Sequence, residues 1–284
     1  VPAAPRIAVV GHVEWVEFAL VDHVPRRGEI AVAREVFADA GGGGGVTAIQ
    51  LAGLGARVEL FTAVGSDPLG RHAAQALRDH GVDSHAAVHE RAQTRALAHL
   101  ADDGERTITV LGPPDGPKGS DVLPWNHLGQ TDAVYVTAGD AGAMYAARAA
   151  RILVATPRAL PGLLDAGTRV DALVLSWSDA HEQQLASRFE RAPTLTVRTA
   201  GARGGSWEHI DGRSGTWSAA PPPGPPVDAF GCGDGFAAGL TYALGAGLDV
   251  EEAISYGARV GASVLTGRGP YGADLAAVGA PGSA

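Results

Sequence analysis

Hydrophobic positions enter the chain as a short continuous run, Ile7-Ala8-Val9-Val10, which has the form of a buried strand. Residues 29–36 partly alternate polar with apolar side chains, as a half-exposed strand does, and need not belong to the same sheet. After the glycines at 41–45, residues 46–54 carry apolar side chains at helical spacing and stop at Gly55, a residue suited to the left-handed end of a helix. A strand over 58–63 and a helix over 71–80, stopped by Gly81, come next. Residues 95–100 and 107–111 flank Asp102-Asp103-Gly104 and predict a β-hairpin, because Asp-Gly supplies the positive-φ turn. A hairpin inside an α/β chain suggests a cover.

From Asp132 the alternation is regular: strand 133–137, helix 141–152, short strand 153–155, helix near 161–165, strand 172–175, helix 179–191 and strand 195–198. Such a series predicts a mostly parallel, doubly wound sheet with helices on both faces. Residues 204–217 form a further hairpin pattern, and 221–226 are a stiff proline-rich spacer. Two helices, 233–244 and 250–265, close the pattern around Gly245-Ala246-Gly247, and no internal repeat is present.

Composition narrows the chemistry. The chain has 284 residues, with 22 basic against 31 acidic side chains and a net charge of −9, which argues against a nucleic-acid surface. The single Cys232 excludes a disulfide framework and any multi-cysteine metal site, and suggests a reducing, cytoplasmic setting. No apolar run reaches the roughly 20 residues that span a bilayer, and the first residues lack the charged-then-apolar form of an export signal, so no membrane partner is expected. Of the basic residues only Lys118 is lysine, in a Gly-Pro-Lys-Gly turn. A Walker A loop and a strand-borne kinase lysine are both excluded, so backbone amides and arginines must hold any nucleotide phosphates.

The most informative stretch is Val227-Asp228-Ala229-Phe230-Gly231-Cys232-Gly233-Asp234-Gly235, followed by a small, apolar helix. Its glycines let successive N–H groups point into one cavity at a helix N-terminus, which makes an anion hole of Gly231, Cys232 and Gly233. Asp234 falls on the first helical turn, where it either accepts a proton from an attacking hydroxyl or merely complements the helix dipole. Cys232 there is either a thiol of lowered pKa or an inert small residue.

These residues resemble the ribokinase-like (PfkB-type) carbohydrate kinases. Their signature Asp-Thr-x-Gly-Ala-Gly-Asp is matched at Asp228, Gly231, Gly233 and Asp234, with Ala229 and Cys232 as the changes. The family's Gly-Gly-to-Leu-Gly helix is matched from Gly41-Gly42 to Leu54-Gly55, its next element at 64–70, and its nucleotide-side Thr-x-Gly-x-x-Gly at Thr199, Gly201 and Gly204. The likeness runs from about Ile7 to Gly269. It implies an α/β fold, a three-layer doubly wound mostly parallel sheet in one domain over 1–284, with a small β-sheet lid from segments at about 13–37 and 91–111. It further implies ATP and Mg²⁺, with Asp234 as the base toward a hydroxyl of a sugar or related polyol. The Thr199, Gly201, Ala202 and Gly204 turn with Ala258 would line the nucleotide site. Gly42 and Gly43 would lie at the acceptor, Asp179 would act on the metal through water, Asp228 would mark a K⁺ loop, and the lid would support a homodimer.

Two departures bear on the acceptor. Val16 and Val46 stand where family members often carry Asp and Asn, and neither valine can bind a hydroxyl. Glu14, Glu17 and Asp140 are substitutes or else lid surface and packing, Trp15 offers a stacking face, and Ser178 or Asp179 caps the next helix if it is not on the metal side. The alternatives are a nucleoside kinase with a more apolar acceptor site, or a sugar- or nucleotide-sensing protein on the same scaffold. A dinucleotide site is disfavoured by Val46 in place of a third glycine. His181 lacks a zincin partner and His85 with His89 lacks a near third ligand, which argues against a histidine metal site.

Overall fold

The structure, a computed structural model, describes residues 4–101 and 106–282. Strand β1 (Arg6–Val10) is buried from Ile7 onward and pairs in parallel with β4 (Arg57–Gly65) on one side and β8 (Ala133–Val136) on the other. The sheet extends through β9 (Ile152–Ala155), β10 (Ala172–Ser176) and β11 (Leu195–Thr199), all parallel, and beyond β4 through β5 (Asp83–His89). The hairpin β12 (Gly205–His209) and β13 (Ser214–Trp217) adds the two antiparallel strands. Among the described residues the order is β13-β12-β11-β10-β9-β8-β1-β4-β5, nine strands.

Helices cover both faces. α1 (Gly42–Gly53), α2 (Pro68–Asp79), α6 (Cys232–Gly245) and α7 (Val250–Val264) bury one core with Ile7, Val9 and Leu60 of the sheet. On the other face α3 (Ala141–Ala147) and α4 (Leu160–Asp165) bury a second core with Ala8, Val10 and Phe61, and α5 (Ala180–Ala186) packs at its margin. This is the three-layer, doubly wound arrangement that the alternating pattern predicts. Local chemistry sets several ends: Asp67 accepts from the Gly70 amide ahead of Pro68 to start α2, and Asp249 with Glu252 forms a reciprocal capping box on α7.

A second, four-stranded sheet has the order β3-β2-β6-β7 and uses β2 (Glu14–Val21), β3 (Glu35–Gly41), β6 (Arg95–Ala101) and β7 (Arg106–Leu111). Its β6–β7 pairing is the expected hairpin, although the Asp102-Asp103-Gly104 turn lies outside the described residues. The strand expected over 29–36 instead runs from Glu35 to Gly41. A strand needs a ladder partner, and β2 ends where the pairing Leu20 to Glu35 ends, so Ile30 and Val32 are left exposed without one. Strand β5 has no counterpart in the sequence pattern. Its Asp-Ser-His-Ala-Ala-Val-His is a poor strand sequence, held extended by parallel pairing to β4.

Candidate active site

In an open parallel sheet, ligands bind outside the carboxyl ends of the strands where the connections diverge to opposite faces. Here that point lies between β1, whose connection leads to α1 on one face, and β8, whose connection leads to α3 on the other. His12 and Thr137, just past the two strand ends, meet there at 3.5 Å. Burial pushes the His12 imidazole down to about 4, and the charge of Arg158 acts in the same direction, so the ring is neutral at pH 7. Its Nε2 accepts the Gly43 amide at 3.2 Å, which assigns the proton to Nδ1. The His12 carbonyl accepts the amides of Gly44 and Gly45. The first-turn amides of α1 are thus satisfied by the chain itself, which removes the dinucleotide reading and leaves the Gly43 N–H occupied, while Gly42 forms the positive-φ entry at +77°.

The start of α6 is different. Gly231 takes a left-handed conformation at φ +81°, and no side chain caps the helix, in contrast to the His12 ring on the Gly43 amide of α1. The Cys232 amide lies 3.4 Å from the Ala229 carbonyl, a long contact. Burial pushes the Cys232 thiol up to about 12, which makes it an inert small residue and not an activated thiolate. Asp228, 6% exposed, spends both carboxylate oxygens on the backbone: one accepts from Phe230 N at 2.9 Å and the other from Gly269 N at 2.6 Å. This carboxylate holds the loop in shape, with one backbone N–H on each oxygen. Gln50 of α1 ties the same loop to the 267–272 turn by donating to the carbonyls of Gly231 and Pro270 at 3.2 and 3.0 Å.

Asp234 sits in that first turn. Burial raises its carboxyl to about 6, opposed by the positive charges of Arg106 and Arg158 and reinforced by the negative charge of Glu182. Glu14, the first residue of β2, is raised to about 7, again chiefly by burial; Arg158 opposes the shift and Asp234 adds to it. The site therefore brings together Glu14 and Asp234, as the sequence suggests, with three residues the sequence reading did not single out: Arg106, Arg158 and Glu182. Arg158 follows the end of β9 and binds Asp179 and Glu182, its Nε meeting Glu182 at 3.1 Å. Glu182 also accepts the Ser176 amide at 2.8 Å. A charged residue three positions past the end of a predicted strand is the available signal for Arg158. Arg106 carries no such signal because its strand belongs to the other sheet.

Other expected residues have partners within the fold. Asp179 is the N-cap of α5, accepting from the amides of His181 and Glu182. Asp140 is the N-cap of α3, and the same Oδ1 that accepts from Ala143 N also accepts from Gly119 N at 2.8 Å. Glu17 pairs with Arg95 at 2.6 Å within the second sheet, and Trp15 packs against His72. Val16 and Val46, 1% and 2% exposed, lie in one apolar cluster with Phe18 and Phe230. The two departures are thus one packing change, an apolar wall in place of a polar pair.

On the nucleotide side, Thr199 ends β11 and the following turn closes on itself through Ala200 N to Gly204 O at 2.7 Å. Gly201 and Ala202 are exposed on it. The turn borders an open cleft of about 390 Å³ lined by Trp177, Ala200, Arg203, Ser206 and Trp217 among others. Ala258 is half-buried on α7, which packs along α6.

A doubly wound sheet with a helix start and an aspartate near its switch point is an arrangement suited to an anionic ligand. The family model described as pfkB family carbohydrate kinase matches residues 4–156 and 171–275, and the chain belongs to that family, a family of phosphotransferases. Among solved structures, it is similar to Arabidopsis thaliana ribokinase complexed with ribose and ATP (20% identity, TM-score 0.73, 97% of this chain and 98% of that one). It is also similar to Cryptococcus neoformans ribokinase in complex with ADP (22%, 0.73, 96% and 98%). Adenosine kinase from Sinorhizobium meliloti shares the fold to the same degree (20%, 0.72, 97% and 98%).

Proposed function

We propose that the protein is an ATP-dependent kinase that transfers the γ-phosphate to a hydroxyl of a sugar or related polyol. The observation that carries this reading is Asp234, a half-buried carboxylate whose pKa is raised to about 6, in the first turn of a helix that no side chain caps. Asp234 would take the proton of the acceptor hydroxyl as its oxygen forms the bond to the γ-phosphorus and the bond to the leaving ADP breaks. The amides of Gly231, Cys232 and Gly233 would receive the equatorial phosphoryl oxygens. Arg106 and Arg158 supply the positive charge that a chain with one lysine must draw from arginine. The turn at Thr199, Gly201, Ala202 and Gly204, with Ala258, would hold the nucleotide beside the open cleft.

The donor set fits Mg²⁺, a hard cation held by few carboxylates together with nucleotide phosphates. Glu182 would be its side-chain contact, with Asp179 behind it through water, and the ion when bound would neutralise charge on the phosphates. K⁺ would bind at the Asp228 loop, on the lone pairs that its two backbone bonds leave free. The apolar wall of Val16, Val46 and Phe230 favours a second reading, a nucleoside acceptor whose base packs on that wall. A homodimer through the second sheet completes the proposal, since β3 and β7 are its unpaired edges among the described residues.

The test is coupled ADP release with Mg²⁺-ATP across ribose, fructose, 2-keto-3-deoxygluconate, adenosine and cytidine. Turnover with one class names the acceptor. ATP-dependent thermal stabilisation with no ADP release for any acceptor would favour a sensor over a kinase.

A further inference from the structure

The geometry points to a binding site for a divalent transition-metal ion of the zinc class, built from Glu59, His85 and His127 at the edge of the main sheet. The three residues come from separate elements. Glu59 lies on β4, His85 on the neighbouring edge strand β5, and His127 on the 3₁₀ turn Trp125–Gln130. One ligand atom from each lies within 4.8 Å of the others. His85 Nε2 and His127 Nδ1 converge on the same carboxylate oxygen of Glu59, at 2.7 and 2.8 Å. The two rings stand 5.7 Å apart and 84° to each other, so their nitrogens approach that point from different directions.

Packing fixes these positions independently of any ion. Parallel pairing of β4 with β5 sets His85 opposite Phe61, two residues from Glu59. The Trp125 ring stacks on Phe61 at 5.4 Å, and Leu128 is fully buried, which pins the turn that carries His127. The ligand side chains are 29%, 20% and 43% exposed for Glu59, His85 and His127, so water can reach a fourth position.

Two imidazoles and one carboxylate suit zinc and its neighbours, whereas magnesium and calcium require oxygen ligands. A tetrahedral ion with bonds of about 2.0–2.1 Å separates its ligand atoms by about 3.3 Å, so the present contacts must open by about 0.5 Å. Small rotations of the partly exposed Glu59 and His127 side chains can supply that movement at both contacts. The site lies near the start of β4, about 20 Å along the strand from the end that faces the crevice, at about 3.3 Å per residue. It would clamp an edge strand and its covering turn and would take no part in phosphoryl transfer. The neighbouring His89 is unlike it: its two ring nitrogens bond separately to Asp115 and Asp121, on opposite sides of the ring, and do not converge. The sequence offered His85 with His89 and no third ligand, because His127 is brought in only by the fold.

The experiment uses the full chain after chelator treatment. Co²⁺ titration reports tetrahedral coordination through its visible absorption, and Zn²⁺ is followed by thermal melting. Wild type should develop a saturable absorption band, and Zn²⁺ at 100 times its dissociation constant should raise the melting temperature by about 4–8 °C. His127→Gln and Glu59→Gln should each lose the band and weaken binding by about tenfold or more, while His89→Ala keeps both. Equal melting temperatures of wild type and His127→Gln in chelator exclude a folding defect. Absence of saturable binding to wild type, or a band unchanged in both glutamine variants, would overturn the site.

Discussion

Two carboxylates, buried Glu14 and half-buried Asp234, share the crevice, and their surroundings give them different duties. Asp234 is raised to about 6, high enough to accept a proton near neutral pH and low enough to be ionised there. Asp234→Asn should lower kcat by about 10²–10⁴-fold with ATP affinity nearly unchanged, by steady-state kinetics and nucleotide titration. Wild-type turnover should fall as pH drops through about 6, because the base becomes protonated. Glu14 holds its proton to about pH 7 in the folded chain, against an unperturbed 4.5. Its contribution to stability is therefore fully present below about 4.5 and is lost as pH rises through about 7. Glu14→Gln should stabilise the protein by about 2–3 kcal/mol at pH 8 and by little at pH 4, measured by urea unfolding. The identities of both residues were legible in the sequence. Their Coulombic partners were not, since Arg158 and Glu182 arrive from other strand ends.

At the scale of elements, the start of α6 depends on one backbone conformation. Gly231 has φ +81°, and a Cβ there would also meet the Gln50 amide and Pro270 at 2.9 Å. Gly231→Ala should cost about 1–3 kcal/mol of stability and disturb the helix start, seen as lower urea midpoint together with lost turnover. This element could be read in advance because glycine spacing and a small-residue helix are local signals. The segment 29–36 could not, because alternation alone does not supply the partner strand that β2 fails to provide beyond Leu20. The helix caps at Asp179, which is expected from the sequence, and at Asp140, which is not, show the same limit: a carboxylate before a helix has the same local pattern whether it serves the helix or a ligand.

The whole molecule joins two sheets at one crevice, and Arg106 is the charge that crosses from the second sheet toward Asp234. Arg106→Ala should lower kcat by about tenfold or more at an unchanged melting temperature, because its strand is exposed and only its charge is removed. The same sheet exposes Val36, Ile108, Val110 and Leu111 near its edges. Light scattering should give twice the chain mass for wild type, and Val110→Asp should return the mass of a single chain. No helix among the described residues is long and apolar enough to cross a membrane.

The sequence by itself determined the α/β alternation, the glycine-led start of α6, Asp234 beside it, and the family likeness those residues carry. These features arise from hydrogen bonding and side-chain periodicity within a few residues of one another. Tertiary structure decided the rest. It made β5 a strand by pairing and spent Asp228 and the α1 amides on the chain's own backbone. It merged Val16 and Val46 into one apolar wall with Phe230, and it brought Arg106, Arg158 and Glu182 around Asp234. Each of these depends on which distant segments become neighbours, and that is fixed only when both faces of the sheet are buried at once.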